Sequence, residues 1–540
     1  MKLILTTLLT VLPFSPVFAA KIIPHADISY SGSFAMPSSV LSNNKCFQWN
    51  YIQGNITYYH SGNGGNGSLF VTGRAGCPTL AEVSIPALKS SASYTIGNLN
   101  TASILQDLTN VGNGDINTGL PDGAWDKRGL GDVVVVGPNQ GLSSDKLMIV
   151  THTGYVVGLN DSPLLASINT NFSSSLGHSG WWKISTDGST AVNPSEYQHY
   201  IFTIPTAWAK TNTGGKSVVV GSNRQNTGGS FGATMYAVGL GWGSTPPAND
   251  TKLSAQKLVS YGDSHNMKKY IESNTPPDLV WVKIGTKDSI IGTYPYPQRH
   301  RLYSETTSKN WLEHTTGWYY GNRHPEGSGD KGYHGEPYHY TLMFYDPSEI
   351  VSALHPHDVQ PYAFYDVSSY FYRSIVQPGS EGENIGGIAY DESGHRLFVV
   401  ESPSNATGGV AIVHVFDVSD AGSTLDTMAP SSPKNLQITS SDSTHVALSW
   451  TGSTDNLTSI AYIIYVNGYP VTRTKNTTYD YTNIDEWQGG DSSVENGWPS
   501  IKIFMFKVVS QDAYHNQSEP SNMVTHDSTT VPFPSPIIHK

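Results

Sequence analysis

Between residues 21 and about 418 the chain is cut into short runs of β-branched and aromatic residues bounded by Gly, Asn or Ser. No long stretch repeats its apolar residues with the 3.6-residue period of a helix. The runs include Asn55–Tyr59, Ser68–Thr72, Asp132–Val136, Lys146–Thr151, Ser217–Gly221, Thr234–Val238, Leu279–Ile284, Tyr340–Phe344, Arg396–Val400 and Val410–Asp417. A chain punctuated this often buries its apolar residues by pairing strands, so the fold class expected is all-β. Composition agrees: charged residues are 14% of the chain and 53 of its 540 residues are Gly, which excludes Glu/Lys/Ala-rich helical bundles and repeats. An aromatic share of 11% at low charge excludes disorder over the main body.

The runs differ in how much burial they ask for. Four valines in a row, Val133–Val136, fit a strand covered on both faces, whereas YTLMFYD at Tyr340–Asp346 reads as half exposed. This part of the chain is longer than a single sandwich needs, and pairs of runs recur roughly every 40–60 residues. A radial array of small sheets, a β-propeller of about seven blades, is therefore expected; a large two-sheet β fold is the alternative. One phrase, strand, Gly/Ser turn, strand and polar stop, occurs at Gly214–Leu240 and again at Ile385–Val418, where Tyr390–Gly394 reads as a tight turn.

The first twenty residues combine a basic Lys2, an apolar stretch and a small-residue end at Val17-Phe18-Ala19, the layout of a cleavable signal peptide. Nothing later approaches the apolar length of a membrane span, so an exported protein is expected, extracellular or periplasmic, without membrane insertion and monomeric. In that compartment the two cysteines, Cys46 and Cys77, are expected to form a disulfide. A net charge of −12 without a Lys/Arg-rich run argues against nucleic acid as a partner.

Composition changes at Ser419–Pro433, a small, polar, Pro-containing stretch. The domain boundaries read as signal peptide 1–20, propeller-like domain 21–418, linker 419–428, second domain 429–525 and Pro-containing tail 526–540. The second domain has about seven alternating strands with turns every 8–12 residues and a Trp450 placed for burial, the arithmetic of an immunoglobulin-like sandwich without a Cys pair. From Ala429 to Val524, through AP..P.NL, LSW..STDN, Y.IYVNG and QDA..N.S.PSN, it resembles a fibronectin type III domain of the kind attached to secreted bacterial polysaccharide-degrading enzymes. That resemblance implies a spacer or accessory module without catalysis. In the large domain, YYGNRH, HGEPYHY, MFYDPSE and IGGIAYDESGHRLFV resemble a family of secreted bacterial propeller-type proteins, a resemblance that carries no activity with it.

Chemistry-bearing residues concentrate in Arg299–Tyr340, with five of the 19 histidines, six tyrosines, two tryptophans and three arginines. Polar aromatics and titratable groups on long connections of a β scaffold are a common way to build a site. The sharpest reading is β-elimination on an acidic, uronate-containing polysaccharide, which needs a cation on the carboxylate, a base for the C5 proton and an acid at the leaving oxygen. Arg323 is the candidate cation, His324 or His334 the base, and Tyr333 the acid. Ulvan lyases with propeller folds use this type of chemistry; the chain is similar to them in architecture and composition, and individual roles are not carried over. The plain alternative is that these side chains pack around a connection.

Candidates for substrate contact are His152, Arg224, Arg299 and Trp181, with Arg74 as a further positive charge following a strand. Trp181 and Trp182 are adjacent and point to opposite sides of a strand, so one of them belongs to a core. No cofactor is required. Calcium is carried as an option on Asp115, Asn117, Asp122 and Asp126, which lack the Gly and terminal Glu of a calcium loop; no metal site is assigned, and His355-Pro356-His357-Asp358 is too isolated for zinc. Two rivals to the lyase stand: a non-catalytic glycan- or surface-binding protein, and a glycoside hydrolase, whose carboxylate pair forms only on folding.

Overall fold

Most of the short runs pair with their neighbours in sequence, so strand order inside each sheet largely follows chain order. The computed structural model describes residues 22–112 (without 39–43, 53, 75 and 90–94), 129–152, 162–222, 232–261, 267, 278–297, 321–322, 331–332, 338–373, 385–421 (without 404–408), 426, 428–482 (without 443–444, 457–459 and 467–468) and 503–527 (without 513–515). The signal-like segment 1–20 and the calcium-loop-like run 115–126 lie outside them.

Strand β1 (Ile28–Ala35) comes first. Unit one follows, with β2 (Ile56–Tyr59), β3 (Ser68–Thr72), β4 (Thr79–Ser84) and β5 (Ile104–Asn110). Unit two holds β6 (Gly129–Val136), β7 (Lys146–His152), β8 (Leu165–Asn169) and β9 (Ser179–Ser185), and unit three β10 (Tyr200–Thr203), β11 (Val218–Ser222), β12 (Thr234–Val238) and β13 (Lys252–Val259). Unit four is β14 (Leu279–Ile284), β15 (Lys287–Pro297), a two-residue pair β16 (Gly321–Asn322) and β17 (Lys331–Gly332) on its own, then β18 (Tyr338–Tyr345) and β19 (Ala363–Asp366). Unit five holds β20 (Ile385–Asp391), β21 (Arg396–Glu401) and β22 (Ile412–Val418), and its fourth strand is β1, paired from Ile28↔Val418 to Ala35↔Ile412. Units two and three are joined into one eight-stranded sheet by a parallel pairing of β9 with β13.

The first strands of the five units touch in a closed cycle, β2 to β6 to β10 to β14 to β20 and back to β2. Five hydrophobic clusters fill the spaces between successive units. Phe70 and Leu80 meet Val133 and Ile149 between units one and two, and Val134, Val150 and Trp182 meet Val218 and Tyr236 between two and three. Val219 and Met235 meet Trp281 and Tyr294, Val282 and Phe344 meet Leu397 and Phe416, and Phe398 and Val413 meet Leu69 and Val71, which closes the circle.

Because a strand alternates its side chains, Val133 faces unit one while Val134 and Val136 face unit three. The reading of Val133–Val136 as covered on both faces therefore holds. Two expectations are corrected. The radial array has five units among the described residues instead of about seven, because each unit takes up four of the short strands. Tyr340–Tyr345 is buried throughout instead of half exposed, because β18 lies between β15 and β19 inside its sheet and between two neighbouring units.

The C-terminal module packs the sheet β23 (Lys434–Ser441), β24 (Val446–Thr451) and β27 (Thr478–Tyr481) against the sheet β26 (Tyr469–Thr474), β25 (Ala461–Val466), β28 (Ile503–Gln511) and β29 (Val524–Asp527). Its core includes Trp450, which meets Tyr462 edge-on at 5.4 Å between ring centroids. This is the strand arrangement of a fibronectin type III sandwich.

Candidate functional site

The geometry around the ring axis follows from hydrogen bonds between the starts of the inner strands. Asp132 Oδ2 accepts the Ile201 N–H at 2.8 Å, and Asp278 Oδ2 accepts the Ile388 N–H at 2.9 Å. Asn55 Nδ2 donates to the carbonyls of Gly131 and His199, and the Gly387 N–H donates to the Gly54 carbonyl at 2.9 Å. All five inner strands therefore begin at one end, here the upper end. Since strands within a unit alternate in direction, each second and each fourth strand ends at this same end.

At its centre the side chains of Asp132 and Asp278 are hydrogen bonded to each other. Each also accepts the N–H of the residue that follows it, Val133 and Leu279, at 2.7 Å. Burial pushes both carboxyl groups up, and for Asp132 the neighbouring Asp278 charge adds to the rise. Both carboxyl groups therefore hold their protons to higher pH than a carboxyl in water does. Both residues are only 1% exposed. The backbone closes in around them: a methyl on Gly131 would come within 2.2 Å of the Gln198 carbonyl oxygen, and one on Gly387 within 2.5 Å of Asn55 Cα. A glycosidase needs its two carboxyl groups roughly 5–9.5 Å apart with sugar or water between them, so this buried, directly bonded pair is arranged to join units and not to cleave a glycoside.

Two further polar groups lie at the upper end. His199, which precedes β10 and is half-buried, has Nδ1 2.5 Å from Ser222 Oγ at the end of β11. An imidazole held against a hydroxyl can exchange a proton with it. Glu401, at the end of β21 and fully buried, accepts from the Tyr372 and Arg373 N–H groups, each at 2.9 Å, and from Arg373 Nη1 at 3.1 Å, with His414 Nε2 at 2.8 Å. Those partners fill its accepting positions, so Glu401 fixes the segment that follows β19.

The residues singled out from sequence distribute as follows. Arg323, His324, Tyr333, His334, Arg299 and Arg224 lie outside the described residues. His152 is the last residue of β7, paired in backbone register with Gly129, and Arg74 follows β3 half-buried. Trp181 is apart from these: it sits within β9, half-buried, its ring 5.1 Å from His178 and against the cluster between units one and two. Trp182 is the core member of the pair, fully buried between units two and three with its indole N–H on the Pro247 carbonyl at 3.1 Å. The disulfide Cys46–Cys77 is present, joining the segment before β2 to the connection between β3 and β4.

Asn55, Asp132, Asp278, His199 and Ser222 were not singled out. A signal for the acids existed: DVVVV and DLVWV each open an apolar run with Asp, and an acid at the mouth of a doubly buried strand needs a partner. Among the described residues one group of three carboxylates, Asp426, Asp455 and Asp512, lies close enough to hold a metal ion, and it belongs to the C-terminal module.

No family model matches the chain. It is 39% identical over 111 residues to an α-amylase of Niallia circulans, which covers 21% of this chain and 7% of that protein. It is 33% identical over 115 residues to chitinase Chi52 of Paenibacillus xylanexedens, 21% of this chain and 19% of the relative. The chain thus spans less than a fifth of these relatives. Among solved structures it is similar to the fibronectin type III domain of a human fibronectin type III domain containing protein, with 19% identity over 22% of this chain and all of that one at a TM-score of 0.16. It also matches a β-1,2-glucanase from Parabacteroides distasonis, with 14% identity over 50% of this chain and 38% of that one at a TM-score of 0.17.

Proposed function

We propose that this chain is an exported carbohydrate-active protein, a five-bladed β-propeller followed by a fibronectin type III spacer, which engages a polysaccharide at the upper end of the propeller. One topological observation carries this reading. Arg74, His152 and Arg224 each end or follow the second strand of a unit, and Arg299, Arg323, His324, Tyr333 and His334 fall between β15 and β18, again after a second strand. The second strand of every unit ends at the same, upper end of the ring. The relatives, an α-amylase and a chitinase, support a carbohydrate context, and the length they share with this chain is that of one small module.

Within this reading, the Arg, His and Tyr content of residues 299–340 favours β-elimination on an acidic polysaccharide, with Arg323 neutralising the carboxylate, His324 or His334 removing the C5 proton and Tyr333 protonating the leaving oxygen. Hydrolysis is the second reading, favoured by the kinds of enzyme among the relatives; it would draw on acids other than Asp132 and Asp278, which are occupied with each other. The test is incubation with a panel of uronate-containing and neutral polysaccharides. New ultraviolet absorbance from an unsaturated uronate supports elimination, and reducing ends without absorbance support hydrolysis. Retention on a glycan column with neither product supports a binder, and no retention and no product on any glycan overturns the proposal.

A further inference from the structure

We propose that Asp426, Asp455 and Asp512 form a binding site for a hard divalent cation of the calcium class, which fastens the inter-domain linker to the C-terminal module. The three carboxylates come from separate segments: Asp426 from the stretch between β22 and β23, Asp455 from the connection between β24 and β25, and Asp512 from the residue after β28. One oxygen from each lies within 4.8 Å of the others.

The independent observation concerns Asp426. It is 8% exposed; its Oδ1 accepts the Met428 N–H at 3.0 Å and the Asn456 Nδ2 at 3.4 Å, while its Oδ2 is buried with no hydrogen-bond partner. A carboxylate oxygen removed from water without a donor is costly, and two more carboxylates beside it add like-charge repulsion. A cation resolves both at once. The neighbouring amides hold the carboxylates in place for it: the Asn516 N–H donates to Asp512 Oδ1 at 2.9 Å, and Asn516 Nδ2 donates to Asp512 Oδ2 at 2.8 Å and to the Asp426 carbonyl at 3.1 Å.

The donor set is all oxygen, without thiolate or imidazole, which suits calcium and not zinc. It is separate from the 115–126 run weighed from sequence. Its acids stand in the STDN and QDA motifs of the fibronectin type III resemblance and in the linker just before it, so the site spans the boundary that the sequence suggested.

The test uses the full chain, stripped with a chelator and titrated with calcium chloride by calorimetry, with melting curves in calcium and in chelator. The expected result is a saturable equivalent of calcium and a higher melting temperature for the C-terminal module, with at least a tenfold weaker affinity in Asp426→Asn and in Asp455→Asn. An Asp358→Asn control in the large domain keeps the wild-type affinity. Limited proteolysis reads the same event at the linker, where calcium slows cleavage within 419–428. Absence of calcium binding by the stripped wild-type chain, or unchanged affinity in the Asp455→Asn variant, overturns the proposal; Asp455 is half-exposed, so that variant decides even where Asp426→Asn fails to fold.

Discussion

A carboxylate near the start of an inner strand reaches the neighbouring unit's backbone, as Asp132 within β6 does with Ile201 and Asp278 just before β14 does with Ile388. The cost is burial of two carboxyl groups, offset by four backbone N–H donors and by protonation. Because both carboxyl groups are raised above their unfolded values, the folded protein holds a proton that the unfolded chain releases near pH 4. That contribution is complete below the unfolded value and is lost as pH rises toward the folded one, at up to about 1.4 kcal/mol per pH unit for one retained proton. Melting of the large domain is therefore expected to fall from pH 5 to pH 8 more steeply in the wild type than in Asp278→Asn, which keeps a neutral group there; equal slopes would refute the raised Asp278 carboxyl. Gly387→Ala tests the close approach at the axis. It should lower stability by about 1–3 kcal/mol in urea unfolding, the usual cost of overpacking, and a neutral effect would show that the axis has room.

At the scale of elements, the disulfide ties two connections of unit one across a separation of 31 residues. A paired Cys46→Ser, Cys77→Ser variant is expected to lose roughly 3–4 kcal/mol in the loop-entropy model, read as a lower urea midpoint that reducing agent does not lower further. Elements also show where local reading stops. Val133–Val136 declared its two-sided burial because every residue is apolar. Tyr340–Asp346 did not, because Tyr and Thr hydroxyls look like an exposed face until their partners are known; Ser368 Oγ bonded to the Tyr340 N–H and the packing of Phe371 on its ring exist only after folding. Adjacent Trp181 and Trp182 illustrate both sides: alternation required that one be core, and the neighbouring unit decided that it is Trp182.

For the whole molecule, the ring is closed by β1, nearly 380 residues from its partner β22 in sequence. Deleting residues 28–35 would leave β22 as an open edge and strip Phe34 from the cluster between units five and one. Calorimetry of that variant is expected to lose the cooperative transition of the large domain, and an unchanged transition would show that closure contributes little. The two copies of the repeated phrase also acquire their meaning here. Gly214–Leu240 covers the second and third strands of unit three, whereas Ile385–Val418 covers the first three strands of unit five. They are out of phase, so the phrase marks a strand–turn–strand pairing and not a whole unit.

By itself the sequence determined the all-β class, the pairing of Cys46 with Cys77 and the C-terminal sandwich, because short-range periodicity, cysteine number and turn spacing are local properties. Only the tertiary structure decided that five units close a ring, that Asp132 meets Asp278 on its axis, and that Asp426, Asp455 and Asp512 converge. Those residues lie tens to hundreds of positions apart, and what brings them together is the packing of one sheet on the next, which no run of neighbouring residues encodes alone.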